Sequence, residues 1–292
     1  MKNIQKLPLA ASAVFAVGLT LTACSSDSGT GTAATESVAS VQGHVHGLGI
    51  NPADNRLYVA THEGIFTPGK DGAAQRVGNS KDDFMGFTVA KAKTFLASGH
   101  PAPGNGGPGN RGLIESTDSG KTWKNRSLAG EVDFHALDYA HDTIYGYDST
   151  NALLRVSKDG AAWDDRASLQ ALDIAVSPAD PDTVLATTAD GIAKSTDGGR
   201  TFAAGKQPAV AFLSWPRPGA LYGLDDSGGL NRSTDGGATW QKAGTVPGGQ
   251  AQALTAVDAQ HILAATQTGV YESRDGGKTF TKRFTVAADD GH

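Results

Sequence analysis

The sequence predicts an all-β fold, a six-bladed β-propeller built from four-stranded antiparallel blades. One short phrase, Ser-x-Asp-x-Gly-x-Thr followed by Trp or Phe, recurs about every 40 residues within residues 43–286. Between copies of this phrase, short apolar runs alternate with turn residues, as expected for a series of short strands. A repeat that holds four such strands is typical of a propeller blade. A seventh blade would need about 40 further residues, so seven blades are the less favoured count.

The recurring phrase is itself a turn, and we refer to it as the repeated turn. Its Asp carboxylate can accept hydrogen bonds from nearby backbone amides, its Gly allows a positive φ, and its hydroxyl groups bond locally. We therefore expect its aspartates to be structural rather than catalytic. Four copies are intact, one is a residue short, and a degenerate copy lacks the serine and the aromatic residue; their aspartates are, in that order, Asp118, Asp197, Asp235 and Asp275, then Asp159, then Asp71.

The repeated turn resembles the Asp-box, or BNR repeat, of sialidases, sortilin-type receptor domains and photosystem II assembly factors. The resemblance covers about residues 41–285. It implies a propeller, but it does not imply one function, because members of this group share their blades and differ in what the blades hold.

Strand patterns agree with this architecture in the first and the last blade. The predicted strands are 46–50, 56–60, 64–66 and 75–77 in the first blade, and 252–257, 261–266, 269–273 and 280–284 in the last. The repeated turn joins the third strand to the fourth. The six predicted blades span residues 41–80, 81–127, 128–167, 168–205, 206–243 and 244–286.

The N-terminus is predicted to carry an export and anchoring signal. Lys2 and Lys6 lie at the start, residues 7–21 are predominantly apolar, and Leu21-Thr-Ala-Cys24 has the pattern of a bacterial lipobox. Residues 1–23 are therefore predicted to be a lipoprotein signal peptide and Cys24 to be lipidated. An apolar run this short makes a poor transmembrane helix, so we expect a protein of the cell envelope that is anchored to the membrane by lipid.

The remaining segments are assigned by composition. Residues 24–42 are small and polar, as in a flexible tether, residues 43–286 form the propeller, and residues 287–292 are a C-terminal tail. Without Lys2 and Lys6, 23 of the 25 basic side chains remain against 30 acidic ones, which gives a formal charge of −7. This balance argues against nucleic acid as a partner.

Histidines are concentrated in the first half of the chain, where six of the eight occur. Aligning the innermost strands on their Gly/Ala-apolar pattern brings His46, Met85 and His135 into one register position. Two residues earlier, on the same strand face, are His44, Asp83 and Asp133. At the register position of His46, the alignment places Asp173 in blade 4 and only Phe212 and Ala253 in blades 5 and 6.

This asymmetry suggests a metal site at the mouth of the central channel. Imidazole, thioether and carboxylate groups suit copper, and imidazole with carboxylate suits zinc. The predicted ligands are His44, His46, Met85 and His135, with His62 and His100 as additional candidates. The alternative is a polar, hydrogen-bonded channel lining that holds no metal.

A glycosyl hydrolase is the enzymatic alternative, with Asp83, Asp133 and Asp173 as candidate catalytic carboxylates. The arginine-containing Phe/Tyr-Arg-Ile-Pro segment that the sialidase resemblance would imply is absent from the sequence.

Our preferred functional prediction is a binding or assembly module for a protein or glycan ligand. Sites in propellers lie at the mouth of the channel and on the surrounding loops. The Pro- and Gly-rich loop Gly99–Arg111 is the longest irregular insertion and is a candidate contact loop.

Overall fold

A computed structural model describes residues 37, 38 and 40–287. The predicted signal peptide, Cys24, most of the predicted tether and the tail after residue 287 lie outside the described residues. No helix in the described part of the chain is long and apolar enough to cross a membrane.

The chain forms six antiparallel sheets arranged as a ring, which confirms the six-bladed propeller. The innermost strands of blades 1 to 6 are Val45–Asn51, Asp83–Lys91, Phe134–Ala140, Ile174–Val176, Phe212–Ser214 and Ala251–Ala256. The second strands are Arg56–Thr61, Thr94–His100, Thr143–Asp148, Val184–Thr188, Leu221–Leu224 and Ile262–Thr266. The third strands are Gly64–Pro68, Leu113–Ser116, Leu153–Ser157, Gly191–Ser195, Gly229–Ser233 and Gly269–Ser273. The outer strands of blades 1, 2, 3, 5 and 6 are Ala74–Arg76, Lys124–Ser127, Asp164–Ser168, Gln241–Thr245 and Thr281–Ala287.

Blade 4 has a reduced outer edge. Where the other blades have a fourth strand, its chain makes a single bridge between Ile192 and Lys206. Gly205 and Pro208 flank this position. Proline cannot donate a ladder hydrogen bond and glycine weakens a strand, so no full strand forms, although the Ala203 amide also donates to the Lys194 carbonyl at 2.9 Å.

The ring is closed by the first residues that the structure describes. Ser37–Val38 pairs antiparallel with the outer strand of blade 1, through Gln75 and Ala74. Val41–Gln42 pairs parallel with the outer strand of blade 6. The end of the segment assigned to the tether thus crosses from one blade to the other and joins the first sheet to the last.

Hydrogen bonds from the backbone of an innermost strand to a side chain of the neighbouring blade connect adjacent blades. Ser98 Oγ accepts from the Phe134 amide at 3.0 Å, and Gln252 Oε1 accepts from the Val45 amide at 3.1 Å across the closing seam. Apolar residues pack between the sheets, and large side chains such as Phe66, Phe95 and Tyr222 are fully buried there. These hydrogen bonds hold the starts of the innermost strands of blades 1 and 3 against their neighbours.

The repeated turns close on themselves as predicted from their residue types. In the last copy, Asp275 Oδ1 accepts from the Thr279 amide at 2.9 Å, and Oδ2 accepts from Thr279 Oγ1 at 2.6 Å. Ser273 Oγ donates to Asp275 at 2.8 Å and accepts from the Gly277 amide at 2.9 Å. The hydrogen bonds from Thr279 lower the pKa of Asp275 to about 2. Gly277 has φ of 92°, and a Cβ there would collide with Leu230 of blade 5.

Candidate functional site

The innermost strands of all six blades line a central channel with a cavity of about 480 Å³. His46 and His135 belong to its lining. Both residues lie near the start of their strands. We call this end of the channel the channel mouth. The repeated turns follow the third strands and therefore lie at the opposite end of the blades.

A β-bulge recurs near the start of four innermost strands. In blade 1, the pairs Val45↔Thr61 and Gly47↔Ala60 leave His46 as the extra residue. The equivalent register shifts leave Met85, His135 and Gln252 as the extra residues in blades 2, 3 and 6. A bulge redirects a side chain without breaking the sheet. The predicted alignment of His46, Met85 and His135 therefore corresponds to one recurring structural position.

The sequence alignment is off by one residue in blades 4, 5 and 6, where Asp173, Phe212 and Ala253 occupy the position of Gly47 rather than that of His46. Ala253 pairs with Ala265 as Gly47 pairs with Ala60, so the equivalent of His46 is Gln252. The run Ala251-Gln252-Ala253 contains two small residues that could match Gly47. The alignment placed Ala253 at the position of His46, whereas the strand pairing places Ala253 at the position of Gly47. The polar side chain between the two alanines is the signal that would have identified Gln252.

Asp173 has contacts of a different kind from those of Asp83 and Asp133. Its Oδ2 accepts from the Leu213 amide of blade 5 at 2.8 Å, and its Oδ1 accepts from the Ile174 amide at 2.9 Å. Burial raises the pKa of Asp173 to about 7. The bond with the Leu213 amide means that Asp173 connects blade 4 to blade 5.

Alternating histidines and aspartates connect blades 1, 2 and 3 at the channel mouth. We call these residues the His–Asp chain: His62, Asp83, His100, Asp133 and His135. His62 Nε2 lies 4.0 Å from Asp83 Oδ1, and His100 Nδ1 lies 3.1 Å from Asp83 Oδ2. His100 Nε2 then lies 3.5 Å from Asp133 Oδ2, which is 2.7 Å from His135 Nε2.

The strands explain why these side chains meet. Asp83 and His100 are direct cross-strand partners at the end of the first strand pair of blade 2. His62 follows the second strand of blade 1, and His135 occupies the bulge of blade 3. Asp133 is buried and immediately precedes the innermost strand of blade 3. Each of these three blades thus contributes residues to the His–Asp chain at the same level along the channel.

Two more histidines complete what we call the mouth cluster, which consists of the His–Asp chain with His44 and His46. The ring of His46 lies 4.7 Å from that of His44 and 4.5 Å from that of His62, measured between centroids. His46, His62 and Asp83 each offer one donor atom, and these atoms lie within 4.8 Å of one another. The cluster therefore contains a group of three side chains with the donors that a transition metal takes.

Burial sets the protonation state at the centre of the mouth cluster. Burial, and then repulsion from the four neighbouring histidines of the cluster, lowers the pKa of His46 to about 2. Its imidazole is neutral at physiological pH. The Nε2 atom of His46 is buried and has no hydrogen-bond partner among the described residues. The same holds for Oδ1 of Asp83 within the described part of the chain.

The Pro- and Gly-rich loop is tied down beside the mouth cluster. Asp82, which is buried, accepts from the Ala102 amide at 2.9 Å through Oδ1 and pairs with Arg111 Nη1 at 3.0 Å through Oδ2. The Arg111 amide also donates to the Gly99 carbonyl at 2.8 Å. The structure places the first two residues of the predicted loop, Gly99 and His100, in the second strand of blade 2. Since Asp82 precedes Asp83 and the irregular part of the loop follows His100, this part begins and ends next to the His–Asp chain.

The sequence-predicted residues thus fall into three sets. His44, His46, His62, His100 and His135 come together with Asp83 and Asp133. Met85 occupies the bulge of blade 2 and is half-buried, and its role as a ligand stays a prediction. Asp173 lines the channel farther along but bonds to backbone amides. The acid–base alternation of the His–Asp chain was not predicted from the sequence.

No family model and no curated protein matches this chain. Solved structures that are similar include a gluconolactonase-like protein with a TM-score of 0.60 and 12% identity, covering 83% of this chain and 92% of that one. A catalytically inactive virginiamycin B lyase from Staphylococcus aureus, solved with quinupristin, has a TM-score of 0.54 and 11% identity, covering 82% and 83%. The GH74 xyloglucanase of Xanthomonas campestris has a TM-score of 0.53 and 19% identity, covering 85% and 46%.

These comparisons concern the fold. The gluconolactonase-like protein and the GH74 enzymes are β-propellers, as this chain is. The chain spans 46% of the xyloglucanase and 39% of an ancestral GH74 enzyme, less than half of either. At identities below 20% the likeness carries over no site residue, so the function has to be inferred from the mouth cluster itself.

Proposed function

We propose that this chain is an exported lipoprotein of the cell envelope, with an Asp-box type of propeller that acts as a binding module. Its ligand contacts the mouth cluster. The observation that carries this proposal is the concentration of seven ionisable side chains at the mouth, on blades 1 to 3. The predicted lipobox at Cys24 supplies the location, and the acidic balance of the mature chain disfavours nucleic acid as a partner.

The mouth cluster has features of a ligand site rather than of a structural network. Aspartates that fasten blades, such as Asp173, bond to backbone amides of the next blade. In contrast, Asp83 and Asp133 bond to histidines whose other faces reach solvent, and the side chain of His135 is 38% exposed. Buried acceptor atoms of Asp83 and Asp133 have no hydrogen-bond partner within the described residues. Polar groups arranged in this way are common where an external ligand completes the bonding.

The loop between Gly99 and Arg111 supports the same location. Its ends are fixed by Asp82, but the glycines at 104, 106, 107 and 109 have open space around the position of a Cβ. A loop with anchored ends and an uncrowded tip can contact a large ligand without disturbing the blades.

Glycoside hydrolysis is the second candidate, and the position of His100 disfavours it. A glycosidase needs two carboxyl groups on either side of the scissile bond. Asp83 and Asp133 are the two carboxylates at the mouth, but the His100 imidazole lies between them, bonded to Asp83 and 3.5 Å from Asp133. The sugar would have to displace this side chain. The channel carboxylate Asp173 accepts hydrogen bonds from the Leu213 and Ile174 amides.

Photo-crosslinking in intact cells tests the proposed binding function in the native cell envelope. A photoreactive amino acid is placed at Glu63, beside His62, or at Lys121, in a repeated turn at the opposite end of the blades. Both side chains are exposed. We expect a discrete adduct from position 63 and none from position 121. Adducts from position 121 alone, or from neither position, would contradict a ligand site at the mouth.

Enzyme assays separate the two candidate functions. Purified wild-type protein and the Asp133→Asn variant are incubated with sialosides, xyloglucan and a broad panel of glycosides. We expect no turnover by either protein. Cleavage by the wild type that Asp133→Asn abolishes would replace the binding module by the hydrolase.

A further inference from the structure

We propose that His46, His62 and Asp83 bind one divalent transition-metal ion, zinc or copper(II), and that His100 and Asp133 position the Asp83 carboxylate for it. This inference rests on the proposed binding function, because it names the class of ligand that the mouth cluster takes. It also selects three ligands from the wider set of candidates in the sequence.

The donor set determines the class of metal. Two imidazoles and one carboxylate suit zinc and copper(II), whereas calcium and magnesium take oxygen ligands almost throughout. Three protein ligands leave at least one coordination position open. Both His62, whose side chain is 37% exposed, and Asp83 reach solvent, so the open position faces the channel mouth. A bound ion would therefore be accessible to a further ligand.

The spacing of the donors fits an ion after a small side-chain movement. The three donor atoms lie within 4.8 Å of one another. Two atoms that are each about 2.0–2.2 Å from one zinc ion are at most about 4 Å apart. His62 lies outside the strands, in the turn that follows Thr61, so it is the donor that would have to move toward the other two. His46 and Asp83 belong to strands and need to move less.

The buried donor atoms of His46 and Asp83 favour a bound cation. The Nε2 atom of His46 has no hydrogen-bond partner among the residues that the structure describes. Oδ1 of Asp83 is likewise buried and faces His62 Nε2 at 4.0 Å. A cation at this point would satisfy two buried polar atoms at once.

The other residues of the His–Asp chain hold the Asp83 carboxylate in position. His100 Nδ1 bonds to Oδ2 of Asp83, the oxygen that faces away from His62. His100 Nε2 in turn faces Asp133, which is 9% exposed and also bonds to His135. Residues that hold a metal ligand in this way are typical of metal sites, and their removal weakens metal binding about 10–100-fold. The His–Asp chain therefore orients Oδ1 of Asp83 toward the proposed metal ion.

The test is a titration of the full-length, detergent-solubilised lipoprotein with zinc in competition with a chromophoric chelator. We expect one zinc ion per chain, and we expect His62→Ala and Asp83→Asn each to weaken binding at least about 100-fold. His141→Ala is the matched control, since His141 lines the channel toward its other end and bonds to the Ser177 carbonyl at 2.8 Å. It should change the affinity less than about threefold. Circular dichroism and melting temperature establish that each variant is folded.

Three outcomes would overturn the metal site: no stoichiometric zinc, equal losses in His141→Ala and His62→Ala, or an unchanged affinity in both His62→Ala and Asp83→Asn. The crosslinking experiment keeps this result separate from the proposed function. A protein that crosslinks from position 63 but takes up no zinc remains a binding module with another ligand, whereas loss of both results removes the site.

Discussion

Asp83 and His100 face each other across the first strand pair of blade 2, with 3.1 Å between Asp83 Oδ2 and His100 Nδ1. The pairing places an imidazole behind a carboxylate whose other oxygen points toward His62. The second nitrogen of His100 faces Asp133. The pair of Asp83 and His100 therefore connects the blade 1 residues of the mouth cluster to its blade 3 residues.

Removing the His100 side chain should loosen the Asp83 carboxylate without unfolding the propeller. We expect His100→Ala to weaken zinc binding about 10–100-fold, because Asp83 loses the bond that orients it. In His100→Asn, the side-chain amide can replace Nδ1 as donor to Asp83 but cannot reach Asp133. Zinc competition should therefore show Asn recovering most of the affinity. Equal losses in both variants, or no loss in either, would contradict a positioning role.

The repeated turns should contribute to stability in proportion to the hydrogen bonds that they make. Asp275 binds both the amide and the hydroxyl of Thr279 and accepts from Ser273. Asp71, in the degenerate copy, accepts only from the Ala73 amide among the hydrogen bonds of the described residues. We expect Asp275→Ala to lower the melting temperature clearly more than Asp71→Ala, as measured by differential scanning fluorimetry. Equal shifts would mean that the turn hydrogen bonds do not stabilise the blades.

Asp173 should make the free energy of unfolding depend on pH. Its folded pKa of about 7 is raised above the unfolded value, so its contribution is fully present below about pH 4 and is lost as pH rises toward 7. The loss amounts to about 4 kcal/mol at most. Urea unfolding between pH 5 and 8 should therefore show a steeper fall for the wild type than for Asp173→Ala.

Ser214→Ala provides the control for this pH dependence. Ser214 Oγ accepts from the Ala256 amide at 2.9 Å, a bond between blades 5 and 6 that does not titrate. This variant should be destabilised by a similar amount at every pH. If wild type and Asp173→Ala have parallel pH profiles, the Asp173 carboxylate is not protonated in the folded protein.

Lipidation at Cys24 is tested by fractionation. We expect the wild-type protein in the membrane fraction and Cys24→Ser outside it, because the substituted residue has no thiol to carry the diacylglycerol. Ser25→Ala, the neighbouring substitution, should leave the protein in the membrane. A Cys24→Ser variant that stays in the membrane fraction would show that another interaction anchors it.

The fold could be predicted because its signal is local and repeated. The residues of the repeated turn bond to one another within five positions, as Ser273, Asp275 and Thr279 do, so spacing along the chain is sufficient to recognise the turn. The reduced edge of blade 4 is an exception. There the pairing of Ile192 with Lys206 depends on how far a strand extends past glycine and proline, which periodicity does not measure.

The mouth cluster was predictable in composition but not in connectivity. Histidine enrichment in blades 1 to 3 is visible in the sequence. Which histidine meets which aspartate depends on bulges that shift the register by one residue, as at His46 and Gln252. It also depends on contacts between blades, such as the one between His100 and Asp133. The contacts between blades have no signature in residue spacing, since partners such as His100 and Asp133 are far apart in sequence and meet through tertiary structure.

The most direct measurement is anomalous X-ray diffraction, recorded above and below the zinc edge, from crystals of the zinc-loaded protein. We predict one anomalous peak at the channel mouth, about 2.0–2.2 Å from donor atoms of His46, His62 and Asp83, with His100 still bonded to Asp83. A peak bound instead by Met85 or His135, or no peak at the mouth at full zinc loading, would contradict the account.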